Sequence, residues 1–364
     1  MKEAAAHRYD LRAPLPASVS AFLEARASSV FQTGDWLAHL SRRGLPEADQ
    51  PFLLSAEAAG RPVGVLPLLR TTLRRGGISI PVLGSLTNYY ALDFSPMCEP
   101  GADMLLANAL RHERAAILRF DSMEDDAARR MEAILVAAGY RPQRFASFVN
   151  WVEEPGSAGF EEWFARRPSQ LRNSWRRRSK KLEAKTGARI VLHGWPSLAS
   201  RSAGVAGGIP IARDPTLHGL IEAWSDVYSR SWKPPEPYPE FVPGLIRLAA
   251  RRKWLRLGVL YLGERPIAAQ LWLHHRGRSI VYKLAYDEAF SELSPGLILS
   301  VEMFRNTIAV DRVSLIDYGS GDDPYKRDWM STRRVRVGLE AFSLTHPLGL
   351  VAGMATKLRE HSRA

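Results

Sequence analysis

Cysteine is almost absent: Cys98 stands alone in 364 residues. A single thiol makes no intrachain disulfide and no cysteine-based zinc site, which favours a reducing compartment. No stretch reaches the roughly 20 apolar residues that cross a bilayer. The start, with Lys2, Glu3 and Asp10, has no apolar run of the secretory kind. The expectation is a cytoplasmic protein, peripheral at most to the inner face of the membrane. Acids are in deficit: 38 Asp and Glu face 50 Lys and Arg, a formal charge of +12. Such an excess attracts phosphates, nucleic acid, anionic lipid or acidic glycans, without choosing among them. Metal-ligand clusters are lacking too. His274 and His275 are strand neighbours that point to opposite faces, with no carboxylate cluster beside them, so no metal is expected.

What is present is a soluble globular composition, long enough for two domains. Between Trp254 and Phe342 the pattern is regular. Residues 255–262 read as a strand, 263–266 as a turn, 267–274 as a strand, 276–278 as a turn and 279–286 as a third strand. The period then changes. Ser294-Pro-Gly opens a helix whose apolar positions 297, 298, 301, 304 and 308 share one face, with Ser294 as N-cap and Pro295 at the first helical position. A strand at 313–318, a short helix near 325–331 and a strand at 335–342 complete the run.

Leu315-Ile-Asp-Tyr-Gly-Ser-Gly-Asp-Asp-Pro-Tyr-Lys326 is the most informative stretch. Gly319 and Gly321 let backbone approach a ligand closely. Tyr325 offers a proton and Lys326 a fixed positive charge. A turn of this kind at the carboxyl end of a strand is where open α/β sheets bind ligands. Gln270, Tyr282 and Lys283 lie on central strands, Tyr282 and Lys283 expected on opposite faces; a lysine inside such a strand suits an anion in a cleft.

The strand and helix order resembles the core of the GNAT acyltransferase fold. The runs Arg265-Pro-Ile-Ala-Ala, Tyr282-Lys-Leu-Ala-Tyr-Asp287, Ser294-Pro-Gly-Leu-Ile-Leu and Asp317–Lys326 resemble its CelD/BcsL-like group, which is similar to Fem-type aminoacyl transferases. The resemblance implies acetyl-CoA or another acyl-CoA as donor. It places the donor's pantetheine arm between two splayed strands, 280–286 (with Tyr282) and 313–318, and its pyrophosphate at the helix start Ser294, Pro295 and Gly296. The usual Gly-rich signature there is reduced to Pro-Gly. The resemblance puts the acid that protonates the leaving thiolate at Tyr325; Lys326 steadies the oxyanion or holds a phosphate. Asp317 either accepts the amine proton through water, as Asp322 also could, or ties the turn together. The acceptor class implied is a small-molecule or glycan amine, an amino sugar or an envelope or polysaccharide precursor, anionic in view of the protein's charge. Two alternatives stand beside this: a Fem-like transfer from aminoacyl-tRNA, and a non-enzymatic binding module.

The first half repeats this grammar thinly. Residues 52–58, 59–62 and 63–69 read as strand, turn, strand, and 116–121 parallels 313–317. Asp121-Ser-Met-Glu-Asp-Asp126 lacks the glycines and the Tyr-Lys pair. The expectation is an α/β protein with mixed sheets, two tandem GNAT-like folds: a degenerate domain at 1–155 shaping an acceptor cleft, and a better preserved catalytic domain at 156–364. The tail 344–364 is expected to pack back on the first domain, with peripheral membrane contact as the other reading. Between the halves, a basic segment after Pro168 reads as a helix capped by Ser169 and ended by Gly187. Leu171, Trp175 and Leu182 mark its apolar side; Arg172, Arg176 and Lys180, four apart, mark an anion-binding side for a nucleotide-linked substrate, tRNA or headgroup. Residues 197–210 read as a mobile loop. The proline-stiffened 232–239 reads as a rim carrying Trp232 and Tyr238, or as a rigid connector.

Overall fold

Two-residue turns with left-handed backbone organise the strands. The computed structural model describes residues 4–75, 78–157, 159–195, 205–206, 208–212 and 216–361. In chain order it contains β1 (Ala4–Asp10), α1 (Ala17–Arg26), α2 (Gly34–Arg43), β2 (Gln50–Ala58), β3 (Arg61–Arg75), β4 (Ile78–Ser85), β5 (Met97–Cys98), α3 (Asp103–Arg111), β6 (Ile117–Met123), α4 (Asp125–Ala137) and β7 (Tyr140–Glu153). There follow α5 (Phe160–Ala165), α6 (Ser169–Glu183), β8 (Ala188–His193), β9 (Val205–Ala206), β10 (Ile209–Ala212), α7 (Leu217–Ser229), α8 (Phe241–Arg251), β11 (Leu255–Leu262), β12 (Arg265–His275), β13 (Arg278–Tyr286), α9 (Pro295–Asn306), β14 (Leu315–Ser320), β15 (Thr332–Ser343) and α10 (Pro347–His361). At the β2–β3 turn Ala59 and Gly60 have φ of 54° and 73°, and at the β12–β13 turn Arg276 and Gly277 have 46° and 74°. Positive φ at both positions matches the right-handed twist of a tight hairpin.

The chain divides into two compact units, one of residues 1–149 with 335–364 and one of residues 150–334. In the first, β1, β2, β3 and β4 form an antiparallel run, β6 adds parallel to β4, and β15 pairs antiparallel with β6. Its core is built from residues such as Leu54, Leu66, Leu106, Phe120 and Leu339. In the second, β8, β11, β12 and β13 are antiparallel, β14 adds parallel to β13, and the end of β7 pairs antiparallel with β14. The strands of the two units therefore share one order: a strand, a three-strand meander, a helical crossover and a parallel strand. This is the tandem GNAT-like arrangement that the thin repeat suggested.

Several elements differ from the sequence reading. The helix expected near 325–331 is a 3₁₀ turn at Pro324–Asp328. Ser294 precedes α9 as expected, but its own backbone is left-handed at φ 51°, and its side chain makes no capping bond. Tyr282 and Lys283 do not obey strict alternation. Leu271 pairs with Lys283 and Trp272 with Val281, so Tyr282 is the extra residue of a β-bulge, and the Lys283 ammonium lies 5.9 Å from its ring. The loop expected at 197–210 falls largely outside the described residues; within it Val205–Ala206 and Ile209–Pro210 pair antiparallel.

In the second unit α9 lies close on the sheet because Gly258 of β11 has no side chain. A Cβ there would meet Met303 Sδ at 2.6 Å and Leu299 Cδ1 at 3.0 Å. Phe304 of α9 anchors an aromatic cluster, with Trp329 stacked at 4.7 Å, Trp163 at 5.0 Å and Trp272 edge-on at 4.8 Å. Below it the buried Glu153 carboxylate accepts from Trp163 Nε1 at 2.9 Å, Arg167 at 3.2 Å and the Ser331 amide at 2.7 Å. This gathers the end of β7, α5 and the segment after the 3₁₀ turn.

Candidate active site

β13 and β14 part company early. Their parallel pairing covers Arg278–Leu315, Ser279–Ile316 and Ile280–Asp317, and no pair is formed beyond it among the described residues. Into the gap opens a cavity of about 470 Å³. Its walls are Leu284, Ala285 and Tyr286 from β13, Ser294, Gly296, Leu297 and Ser300 from the start of α9, and Tyr318 from β14. Gln170, Leu171 and Ser174 of α6 line it as well, and Trp232, Tyr325, Asp328 and Trp329 complete it. The walls are mostly apolar and aromatic, with a few polar groups, as small-molecule sites generally are.

Gln270 is buried and fully used. Its Nε2 donates to the Gly296 carbonyl at 3.1 Å and to Ser300 Oγ at 2.7 Å, and its Oε1 accepts from Trp272 Nε1 at 3.1 Å. It fixes the first turn of α9 against β12, where Ser294, Gly296 and Leu297 line the cavity. Gly296 sits tightly: a Cβ would lie 3.2 Å from Tyr286 Cδ1. Trp232 packs on Tyr286, ring centroids 4.6 Å apart.

Two tyrosines face the cavity. Tyr318 is buried and hydrogen-bonded to Ser300; burial, then the neighbouring Tyr325, raises its phenol well above the ordinary range. Tyr325 stands edge-on to it at 5.8 Å and keeps 44% of its surface. Burial of its ring, with the Asp323 carboxylate nearby, pushes its phenol up to about 12. Both are proton donors at neutral pH.

The acids and the lysine of the Gly-rich turn hold the turn itself. Asp317 Oδ1 accepts from the Gly319 amide at 2.7 Å and from Asn150 Nδ2 at 2.6 Å. Asp322 is bound by Arg333 at 2.7 Å and Trp151 Nε1 at 2.9 Å, and these bonds hold its carboxyl below the usual range, which makes it a weak base. Lys326 is buried and donates to the carbonyls of Ser320 at 2.5 Å and Gly321 at 3.2 Å, with Asp323 at 3.2 Å. Burial lowers its ammonium, and Asp323 works against that. Gly319 and Gly321 have φ of 72° and 108°, conformations in which a side chain is strained. At Gly321 a Cβ would also crowd Lys326 Nζ at 3.1 Å.

The structure thus brings Trp232, Gln270, Ser294, Gly296 and Tyr325 to one cavity, with buried Pro295 between two of its wall residues. Tyr282 lies at the bulge and is not part of the wall. Lys283 is buried against Glu236 at 2.7 Å, so a carboxylate of the protein itself answers its charge. Arg172 turns back to the Arg167 carbonyl at 3.0 Å, while Arg176 and Lys180 are exposed on α6. On the other side of α6, Leu171, Trp175 and Leu182 join the core. Missing from the sequence reading are Tyr318, Ser300, Trp329 and Lys233. Tyr318 and Ser300 sit in apolar strand and helix patterns that read as core. Lys233 hides in a stretch notable for prolines and aromatics.

Residues 169–327 match the family model of the acetyltransferase (GNAT) domain. That span contains the cavity's helix, bulged strand, Gly-rich turn and Tyr325, and the fold around it is a pair of GNAT-like folds. Among solved structures, FemX matches with a TM-score of 0.60 at 10% identity, covering 95% of this chain and 99% of that one. L-PGS from Bacillus licheniformis matches at 0.52 and 11%, covering 95% and 96%. The C-terminal domain of a putative lysylphosphatidylglycerol synthetase from Agrobacterium fabrum matches at 0.50 and 11%, covering 94% and 95%. At such identities the likeness is one of fold. No curated protein matches in sequence.

Proposed function

We propose that the protein is an N-acyltransferase of the CelD/BcsL-like kind, moving an acyl group, acetyl in the simplest case, from acyl-CoA to an amine. The observation that carries this reading is the cavity where β13 and β14 separate, closed by the start of α9 on one side and Tyr325 on another. The unpaired edge of β13 offers backbone groups to an amide-bearing arm. The α9 start, a helix N-terminus next to Ser294 and Gly296, favours the donor's pyrophosphate, although Pro295 removes one amide from the set. Apolar walls from Leu284 and Leu297 exclude water around the thioester.

In the reaction the amine nitrogen attacks the thioester carbonyl. A C–N bond forms and the C–S bond breaks. The departing thiolate takes the phenolic proton of Tyr325, which its raised pKa keeps in place at neutral pH, and the proton shed by the nitrogen as the amide forms passes through water to restore the phenol. Lys326 acts at one remove, because its three bonds fix the turn that carries Tyr325. An amino sugar or an envelope or polysaccharide precursor is the acceptor class this reading favours.

One observation favours a second reading, transfer from aminoacyl-tRNA: α6 borders the cavity through Gln170, Leu171 and Ser174 and shows solvent the side chains of Arg176 and Lys180. The deciding experiment follows thiol release from acetyl-CoA with a panel of amines, glucosamine first. Amine-dependent release supports acyl-CoA transfer. Absence of release, with amide formation from charged tRNA, overturns it in favour of the second reading.

A further inference from the structure

Two aromatic–lysine pairs flank the cavity, Trp232-Lys233 and Tyr325-Lys326, and in each the aromatic residue is part of the wall. The lysines differ in what they meet. Lys326 is spent on two carbonyls and Asp323. Lys283, on the neighbouring strand, is spent on Glu236, both side chains 6% exposed. Lys233 has no ion pair or side-chain hydrogen bond among the described residues; its ammonium lies 5.7 Å from the Trp232 ring. The charged groups acting on it are Lys283 and Lys326 on one side and Glu236 and Asp323 on the other. Two of the four are cations and two are anions, and among the described residues none of them forms an ion pair with Lys233, which sits half-buried. Prolines 234, 235, 237 and 239 stiffen its segment, which lowers the entropic cost of holding it ready.

We propose that Lys233 binds an anionic group, carboxylate or phosphate, carried by the acceptor amine; this rests on the acyltransfer reading of the cavity. Trp232, whose ring its ammonium adjoins, lines the same cavity as Tyr325, which places that anion at the cavity of the group assigned to the leaving thiolate. An acceptor must enter there. Burial, then Lys283, lowers the Lys233 ammonium to about 8. It is therefore charged below that pH and loses its charge, and its hold on an anion, as pH rises through it.

Two measurements test the site on the full chain. In the first, the protein is labelled with an amine-directed acetylating reagent at about pH 8 and read by peptide mass spectrometry. A depressed ammonium reacts about tenfold or more faster than an ordinary surface lysine such as Lys180. At constant ionic strength, millimolar inorganic phosphate or succinate slows Lys233 severalfold and leaves Lys180 unchanged; which of them does so tells phosphate from carboxylate. In the second, Lys233→Gln raises KM for glucosamine 6-phosphate, or for an amine bearing a carboxylate, about tenfold, the order of one charge-assisted contact, and leaves KM for glucosamine unchanged. If neither anion slows Lys233 more than Lys180, the anion site is wrong. If anions protect Lys233 but acetyl-CoA does not bind, the acyltransfer reading falls and the acceptor assignment with it. If acetyl-CoA binds and no anion protects, only the Lys233 assignment falls.

Discussion

At the scale of single residues, the site turns on two phenols with different surroundings. Tyr318 is a buried part of the cavity wall and bonded to Ser300, so its role is to shape the pocket. Tyr325 is partly open and lines the cavity where the leaving group would sit. Tyr325→Phe is therefore expected to lower kcat by roughly 100-fold or more, with donor affinity kept. Tyr318→Phe is expected to change KM for the donor more than kcat. Steady-state kinetics on both variants checks this; equal kcat losses would put the acid elsewhere. The sequence made Tyr325, Gln270 and Gly296 legible because each breaks a pattern: an exposed aromatic after a glycine turn, a polar residue in an apolar strand, a glycine at a helix start. Tyr318 and Ser300 break none, since a tyrosine in a β run and a serine in a helix are ordinary. Lys283 shows the converse. A buried lysine does announce an anion, but the anion is Glu236, 47 positions away in a segment whose path cannot be read locally.

At the scale of elements, the strands β11, β12, β13 and the helix α9 were readable because period and turn chemistry agree there. The bulge at Tyr282 was not, because a bulge depends on which residue lies across the ladder. β8 escaped for a related reason: Ala188–His193 is a short run that follows a strongly basic helix, and only its pairing with β11 marks it as a strand. For α6 the amphipathic reading places Leu171, Trp175 and Leu182 inward, but the charged side is not uniform. Arg172 caps the Arg167 carbonyl, and Lys181 reaches Glu292 at 3.4 Å. Arg172, Arg176 and Lys180 changed together to Gln keep helix propensity and remove three charges. If α6 holds an anionic polymer, tRNA binding should weaken in this variant and its salt dependence should become shallower by about two to three in log–log slope. A filter-binding titration at several salt concentrations is sufficient. Unchanged or undetectable binding in both proteins would make this side of α6 a solvated surface.

At the scale of the whole molecule, the repeat is clearer in topology than in sequence. β4 to β6 and β13 to β14 make the same parallel step across one helix, although the residues at the ends of β6 and β14 share little. Strand order survives substitution because it depends on burial pattern and turn geometry, whereas a ligand site depends on particular side chains. That is why the first unit keeps the fold and lacks the glycines and the Tyr-Lys pair. None of the helices in the described residues is long and apolar enough to cross a membrane. The central claim is that the second unit's cavity binds the acyl donor at the start of α9. Isothermal titration of the full chain with acetyl-CoA tests it most directly, with Gly296→Val as the control, since added bulk there meets the Tyr286 ring. The account predicts saturable binding by the native protein and its loss in the variant, with the variant's fold intact by circular dichroism. No heat of binding at millimolar acetyl-CoA, or equal affinity in both proteins, would contradict it.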